Sequence, residues 1–571
     1  MEQALRSPGA ADLVDATPRP GRRDGDVDDR PDVPVVAPAG AAGPGHSRLR
    51  RALRGEPGVA ALALLAGAVA WWFADRRGLP LLYADARSHL TISRRLLDGP
   101  NHGIVQLGTV WLPLPHLVVT PFTMVTRWWM SGAAVLPVNL VCLVIEAVAL
   151  FRVVFDAGRS RVGAWIAVVV LLANPGWLYL HTTALGEPVL FAAILLTVAA
   201  LGRWIRSDKP YSGGELAVFC GLPAAAAVLS RYDGWAMAAA AGLFVLLVAR
   251  ARWGHWRYAI TCTLAFAVPS TVAAAWWFWF NFVHWGDPLE FQRGRYSAQA
   301  QQDILDRAGL LPDKGDLARS VRTFLTATIE GAGVWVVVTA AVGAAVWLVV
   351  GRLRLRALPP WLLVVVPVGF YVLSLYTGQI ALRLGDHPGS SMFNLRYGLQ
   401  VLPGLAAMCG LGIGVLAGHG AGSLAVVRRA AAVAVAAAVV MATAAAWVPS
   451  WQQVPVIAEG LQQRELGESA WAGAEFLRDE AIDGSILIDD SVNPMLPVIG
   501  ADLDRVVAPF SGPEWERALD DPGRVQWIYA DSAGDGDAVD RAIRRDRRFA
   551  AAFEQVFSDG TIRVFRRRSP T

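Results

Sequence analysis

Residues 112–126, LPLPHLVVTPFTMVT, decide the architecture of the chain by whether or not they cross a bilayer. They are apolar, yet Pro113, Pro115, His116 and Pro121 interrupt them and the run is short for a span. If they crossed, the arginines at 152, 159 and 161 and those at 203 and 206 would face outward. As an external interfacial or re-entrant segment, they leave a simpler pattern. Arg152, Arg159 and Arg161, then Arg203, Arg206 and Lys209, then Arg250, Arg252 and Arg257 all fall inside, as do Arg352, Arg354, Arg356, Arg428 and Arg429. The N-terminal cluster Arg48, Arg50, Arg51 and Arg54 falls there too, as the preference of basic loops for the cytoplasm requires.

Working outward, the 571 residues are 54% hydrophobic and 18% charged, where a soluble chain carries roughly a quarter charged. The fold class is a polytopic α-helical membrane protein. Eleven crossings are expected, at about 57–74, 131–153, 162–180, 188–204, 214–229, 234–250, 258–283, 325–349, 359–376, 396–417 and 430–449. The N-terminus is then cytoplasmic and the C-terminus outside. Residues 1–50, rich in Pro, Gly, Asp and Ala, are expected to be a disordered tail, and 51–450 the membrane domain. Only Lys209 and Lys314 are lysines, and the arginines form no stripe, so no nucleic-acid partner is indicated. Cys142, Cys220, Cys262 and Cys409 all lie in apolar runs and imply neither a disulfide framework nor a metal site.

From Trp451 the composition becomes that of a soluble α/β domain, 451–571, facing outward. A helix is expected over 470–480, strands at 485–490, 505–508 and 525–530, and a hairpin of 553–557 with 562–566. No glycine-rich phosphate loop follows a strand, so no nucleotide site is assigned.

The chemistry collects on the external loops. Asp85 stands just after the first crossing, with His89 four residues on and on the same face of a short helix over 84–97. Its competing role is to cap that helix. Glu187 and Asp233 are further acids tied to helix ends. Arg231 and Arg396, followed by Tyr232 and Tyr397, join His116, His181, Arg295 and Arg383 as cations at that level. Guanidiniums suit a phosphate or pyrophosphate, and a lipid phosphate lies at this depth. Trp111, Trp235 and Trp285 could stack on a sugar, although most of the 23 tryptophans must serve packing or the interfacial belt. Glu146 is the clearest acid within a span, and there is no internal repeat of the kind many transporters show.

An acid just after helix one, an external proline-rich segment, a helix beginning LPVNLVCLVIEAVALFRVVF, GEP at 186–188 and RYDGW at 231–235 together resemble the GT-C superfamily. Within it they are closest to the family-39-like membrane glycosyltransferases, which include protein O-mannosyltransferases and the lipid A aminoarabinose transferase. The resemblance covers about 57–450. It implies sugar transfer from a polyprenyl-phosphate donor to a glycan, lipid or protein acceptor at the outer face of a bacterial plasma membrane, usually with inversion. It also implies membrane lipids as partners. On this resemblance Asp85 is the general base, or an orienting or metal-associated carboxylate. Arg231 and Arg396, with Tyr232, Tyr397 and His89, bind the donor. Several relatives carry a second acid beside the first or in the proline-rich segment. Here those places hold Ala86 and the acid-free TVWLPLPH at 109–116, leaving Glu187 or His116 to compensate. A divalent cation, magnesium or manganese, is correspondingly an open expectation. A lipid or solute transporter and a non-catalytic lipid-carrier-binding protein are the alternatives.

Overall fold

The computed structural model describes residues 55–294, 297–351, 354–385, 391–418, 422–447, 449–480, 483–534, 536–546 and 549–568. The expected tail with its arginine cluster, together with Arg295 and Arg352, lies outside the described residues.

In a bilayer an apolar run satisfies its own backbone polar groups by forming a helix. Eight helices among the described residues are long and apolar enough to cross: Glu56–Asp75, Ala133–Gly158, Glu187–Arg206, Tyr232–Trp253, Trp256–Trp285, Pro359–Tyr376, Leu395–Ala417 and Ser423–Trp447. Three of the expected crossings take another form. The run 162–180 breaks into Arg161–Leu172 and Pro175–Leu180, because Pro175 has no amide to donate and Asn174 caps the second helix by accepting from the Trp177 N–H at 2.8 Å. The run 214–229 is the short apolar helix Gly213–Val228, with a π turn at Ala217–Gly221. The run 325–349 divides between Leu317–Ala332 and Val334–Val350, which meet at 108°. Gly333 makes that corner with φ of 89°. Leu317–Ala332 is amphipathic: Ser320, Phe324, Ala327 and Thr328 are buried while Leu317, Val321 and Leu325 are exposed. Hydropathy over 325–332 therefore belongs to one face of a helix that turns away from the span. Eight helices, or nine counting the bent pair, meet the length and composition of a crossing, against the eleven expected.

Residues 112–126 form Leu114–Thr123 and the start of Thr126–Ser131. The longer has 10 residues, which reach about 15 Å, half the hydrocarbon thickness.

Beyond the last span lie the helices Pro455–Leu466 and Glu468–Asp479. A five-stranded sheet follows, of β1 (Ile486–Ile488), β2 (Val506–Val507), β3 (Trp527–Asp531), β4 (Phe553–Asp559) and β5 (Ile562–Arg567), in the order β2-β1-β3-β5-β4. β1, β2 and β3 are parallel, and the β4–β5 hairpin adds antiparallel to β3. Every side chain of β1, an interior strand flanked by β2 and β3, is buried, so its sequence is continuously apolar. The domain docks on the segment that follows the first span. Tyr83 Oη donates to the Val456 carbonyl at 2.7 Å, Arg87 Nε to the Pro494 carbonyl at 3.0 Å and Asn101 Nδ2 to the Ser511 carbonyl at 2.6 Å.

Candidate active site

Four segments far apart in sequence bring their N-terminal ends to one end of the bundle. Asp85 lies in the first turn of Ala84–Arg95, Glu187 in that of Glu187–Arg206 and Asp233 in that of Tyr232–Trp253. Arg396 opens the 3₁₀ turn Leu395–Val401. Helix N-termini carry partial positive charge, which favours the ionised form of Asp85.

Two glycines allow the arginines to reach this point. A Cβ on Gly234 would stand 2.1 Å from the Ala227 carbonyl oxygen, and one on Gly398 2.3 Å from that of Ala327. Each backbone thus passes hard against a neighbour within three residues of Arg231 or Arg396.

The side chains form one ionic chain. Arg396 Nη2 donates to Asp85 Oδ2 at 2.6 Å, and Arg396 Nε lies 3.1 Å from Glu187 Oε1. Arg231 Nη1 is 3.1 Å from the same Glu187 oxygen, and its Nε is 3.4 Å from Asp233 Oδ1. Tyr371 Oη donates to the other Asp233 oxygen at 2.7 Å. Both guanidiniums sit over the Tyr397 ring, at 5.5 and 5.6 Å. Glu187 is fully buried, whereas 41% of the Asp85 side chain is open. Burial pushes the Asp85 carboxyl up, but the Arg396 guanidinium, with Arg231 behind it, holds it below its ordinary value. Asp85 is thus a partly exposed carboxylate held ionised beside Arg396. The helix N-cap position belongs to Tyr83, so capping is not its role.

His89 does not bond Asp85. Its Nδ1 lies 2.7 Å from His116 Nε2, and His116 Nδ1 lies 3.2 Å from the Leu112 carbonyl. A carbonyl only accepts, so His116 carries its proton on Nδ1, and its bare Nε2 accepts from His89 Nδ1–H. That leaves His89 Nε2 as a free acceptor. Burial pushes His89 down to about 4 and His116 well below the usual imidazole range, so both rings are neutral. His116 is buried behind His89, and Trp111 covers the His89 ring at 4.5 Å. Tyr232 stands apart from the arginines, donating to the Val110 carbonyl at 3.0 Å and stacked on Phe291. His181 is not a surface cation: it is buried, with Nε2 3.0 Å from Glu146.

Glu459 carries no signal in the sequence. Its carboxylate is buried and accepts the backbone N–H groups of Asn394, at 2.8 Å, and Leu395, at 2.9 Å. It thereby seats the turn that delivers Arg396.

Among the described residues one group could share a cation: Asp98, Asp502 and Asp504, whose ligand atoms lie within 4.8 Å of one another. Asp502 and Asp504 are exposed, and Asp98 is already bound by Arg94 at 2.5 Å. Among the described residues Asp85 belongs to no such group.

No protein-family model and no curated protein matches the chain. Among solved structures it is similar to ArnT from Cupriavidus metallidurans bound to undecaprenyl phosphate, at 17% identity and TM-score 0.50, over 89% of this chain and 98% of that one. An oligosaccharyltransferase from Archaeoglobus fulgidus, tethered to an acceptor peptide, follows at TM-score 0.42 and 11% identity, over 85% of this chain and 70% of that one. The first likeness shows the fold: a polytopic helical bundle like that of ArnT, followed here by a small C-terminal α/β domain. It does not reach the narrower family-39-like assignment.

Proposed function

We propose that the protein is a glycosyltransferase that moves a sugar from a polyprenyl-phosphate donor to an envelope glycan, lipid or protein acceptor at the outer face of a bacterial plasma membrane. One observation carries the reading: Arg231 and Arg396 share the buried Glu187, while Asp85, the open member of the set, pairs with Arg396. ArnT, whose fold this is, was solved with undecaprenyl phosphate, which is the chemistry these guanidiniums suit. Within this reading the three irregular segments count as crossings, the chain passes the membrane eleven times, and the site and the C-terminal domain face outward.

The donor phosphate takes the place of Asp85 on Arg396. An acceptor hydroxyl then attacks the anomeric carbon, forming the new C–O bond as the bond to phosphate breaks. The leaving electron pair goes to the phosphate, where Arg396 and Arg231 stabilise it. The hydroxyl proton goes to Asp85. While paired with Arg396, Asp85 is a weak base; losing that partner raises its proton affinity as the donor arrives. A separate acid is unnecessary, since phosphate leaves without protonation.

Asp85→Asn should fold and bind undecaprenyl phosphate, yet transfer more slowly by about 10²–10⁴-fold. The measurement is transfer from a radiolabelled polyprenyl-phosphate sugar by the purified protein; a variant at wild-type rate sinks the mechanism. Donor binding without transfer by the wild-type protein would favour a non-catalytic carrier-binding protein.

A further inference from the structure

We infer that Asp490, at the carboxyl edge of the C-terminal sheet, and Arg95, at the end of the Ala84–Arg95 helix, form a subsite for the hydroxyls of a glycan acceptor. This rests on the transferase reading above and names where its acceptor is held.

The topology singles out the place. From β1 the chain goes first to β2 on one side and then to β3 on the other, so the strand order reverses at β1. In open parallel sheets the crevice at the carboxyl ends beside such a reversal is where ligands bind. Asp489 and Asp490 leave β1 into that crevice. Asp489 is used internally, accepting from Ser491 Oγ at 2.5 Å and from the Ala538 N–H at 3.0 Å. Asp537, from the β3 side, accepts the Asp531 N–H and the Val539 N–H, both at 2.7 Å.

Asp490 has no such use. It is 8% exposed, and among the described residues its buried Oδ1 has no hydrogen-bond partner. Arg95 and Arg87 both act on its charge, but neither forms an ion pair with it among the described residues. Arg87 is committed elsewhere, to the carbonyls of Pro494, Leu81 and Leu82. Arg95 gives Nε to the Gln106 carbonyl at 2.8 Å and lies over the Phe510 ring. A buried carboxylate without donors is unfavourable, and a ligand that brings donors relieves it.

The charges select the ligand class. Asp489 and Asp490 together repel an anion, and Arg87 and Arg95 repel a cation. A neutral polyol fits, with hydroxyls donating to Asp490 and accepting from Arg95. Burial pushes Asp490 up to about 7, which suits a group that exchanges hydrogen bonds with hydroxyls. Arg95 stands ten residues from Asp85 along the helix, or about 15 Å. A ligand reaching both is longer than one hydroxyl-bearing side chain, which points to a glycan. Trp111, against His89, offers a ring face between the two ends.

The test uses the full-length protein in lipid nanodiscs, with mannotetraose and maltotetraose as probes and saturation-transfer NMR as readout. Wild-type protein should bind at least one tetrasaccharide. Asp490→Asn and Arg95→Gln should each weaken that binding by about tenfold or more. Undecaprenyl phosphate binding should stay within twofold and the melting temperature should not fall. No tetrasaccharide binding by the wild type, or unchanged affinity in both folded variants, overturns the subsite. Failure of the wild type to bind undecaprenyl phosphate overturns the transferase reading instead, and the glycan titration then still decides this one.

Discussion

Glu146 and Glu187 stand on helices that pack together, 136–158 and 187–206, and both are completely buried. Their partners differ. Glu146 faces His181, an imidazole that can gain or lose a proton, so moving one proton along the 3.0 Å bond makes the pair neutral. Glu187 faces two guanidiniums, which cannot discharge. The first pair is a fastening. With Asn139, which donates to the carbonyls of His181 and Thr183, it pins the loop that leads into Glu187. The second keeps fixed charge of both signs together. Burial is the same for both acids; what differs is whether the partner can discharge.

The comparison breaks first at Arg396. Arg396→Ala removes the group shared by Asp85 and Glu187, and transfer should fall by about 10²–10³-fold in a single-turnover assay of polyprenyl-phosphate release. A loss under tenfold would mean that the fixed charge is not chemical. Next comes the fastening. His181→Ala strands Glu146 and should lower stability by about 3–5 kcal/mol in detergent unfolding. Glu146→Gln, still able to donate to a neutral imidazole, should keep transfer within about threefold. Abolished transfer in a well-folded Glu146→Gln protein would erase the distinction.

The smallest effect concerns Asp490, an acid with no bonded partner. Its carboxyl titrates at about 7 in the folded chain, against about 4 when unfolded. Between those values the folded state holds the extra proton, so stability falls as pH rises from about 4 to about 7 and is flat above. Asp490→Asn should therefore raise the melting temperature by a few degrees at pH 8 and hardly at all at pH 4. An equal gain at both values would show that its ionisation is not the cause.

Much of the membrane part was legible from apolar run length, and the reading of 112–126 as too short to cross agrees with the two short helices found there. The run 325–349 read as one straight helix because hydropathy averaged along the chain cannot see the 108° corner at Gly333. The five strands fall on the stretches expected, because buried parallel strands and a hairpin leave strong local patterns. Within the site, Asp85, Glu187, Arg231 and Arg396 stood out as charged residues at helix ends. That Glu187 lies between the two arginines, and that His89 bonds His116 and not Asp85, depends on packing between segments up to 311 positions apart. Asp490 was legible only as a strand end.

Glu459 sets a condition on biosynthesis. Arg396 is seated by a carboxylate translated 63 residues later, beyond the last span, and Tyr83 is tied to the same C-terminal helix through Val456. As the chain is made, Asp85 waits for its partner until Arg396 has emerged, and Arg396 waits for its brace until Glu459 has. A product truncated after Trp447 would hold every membrane helix and still lack the brace for its central arginine.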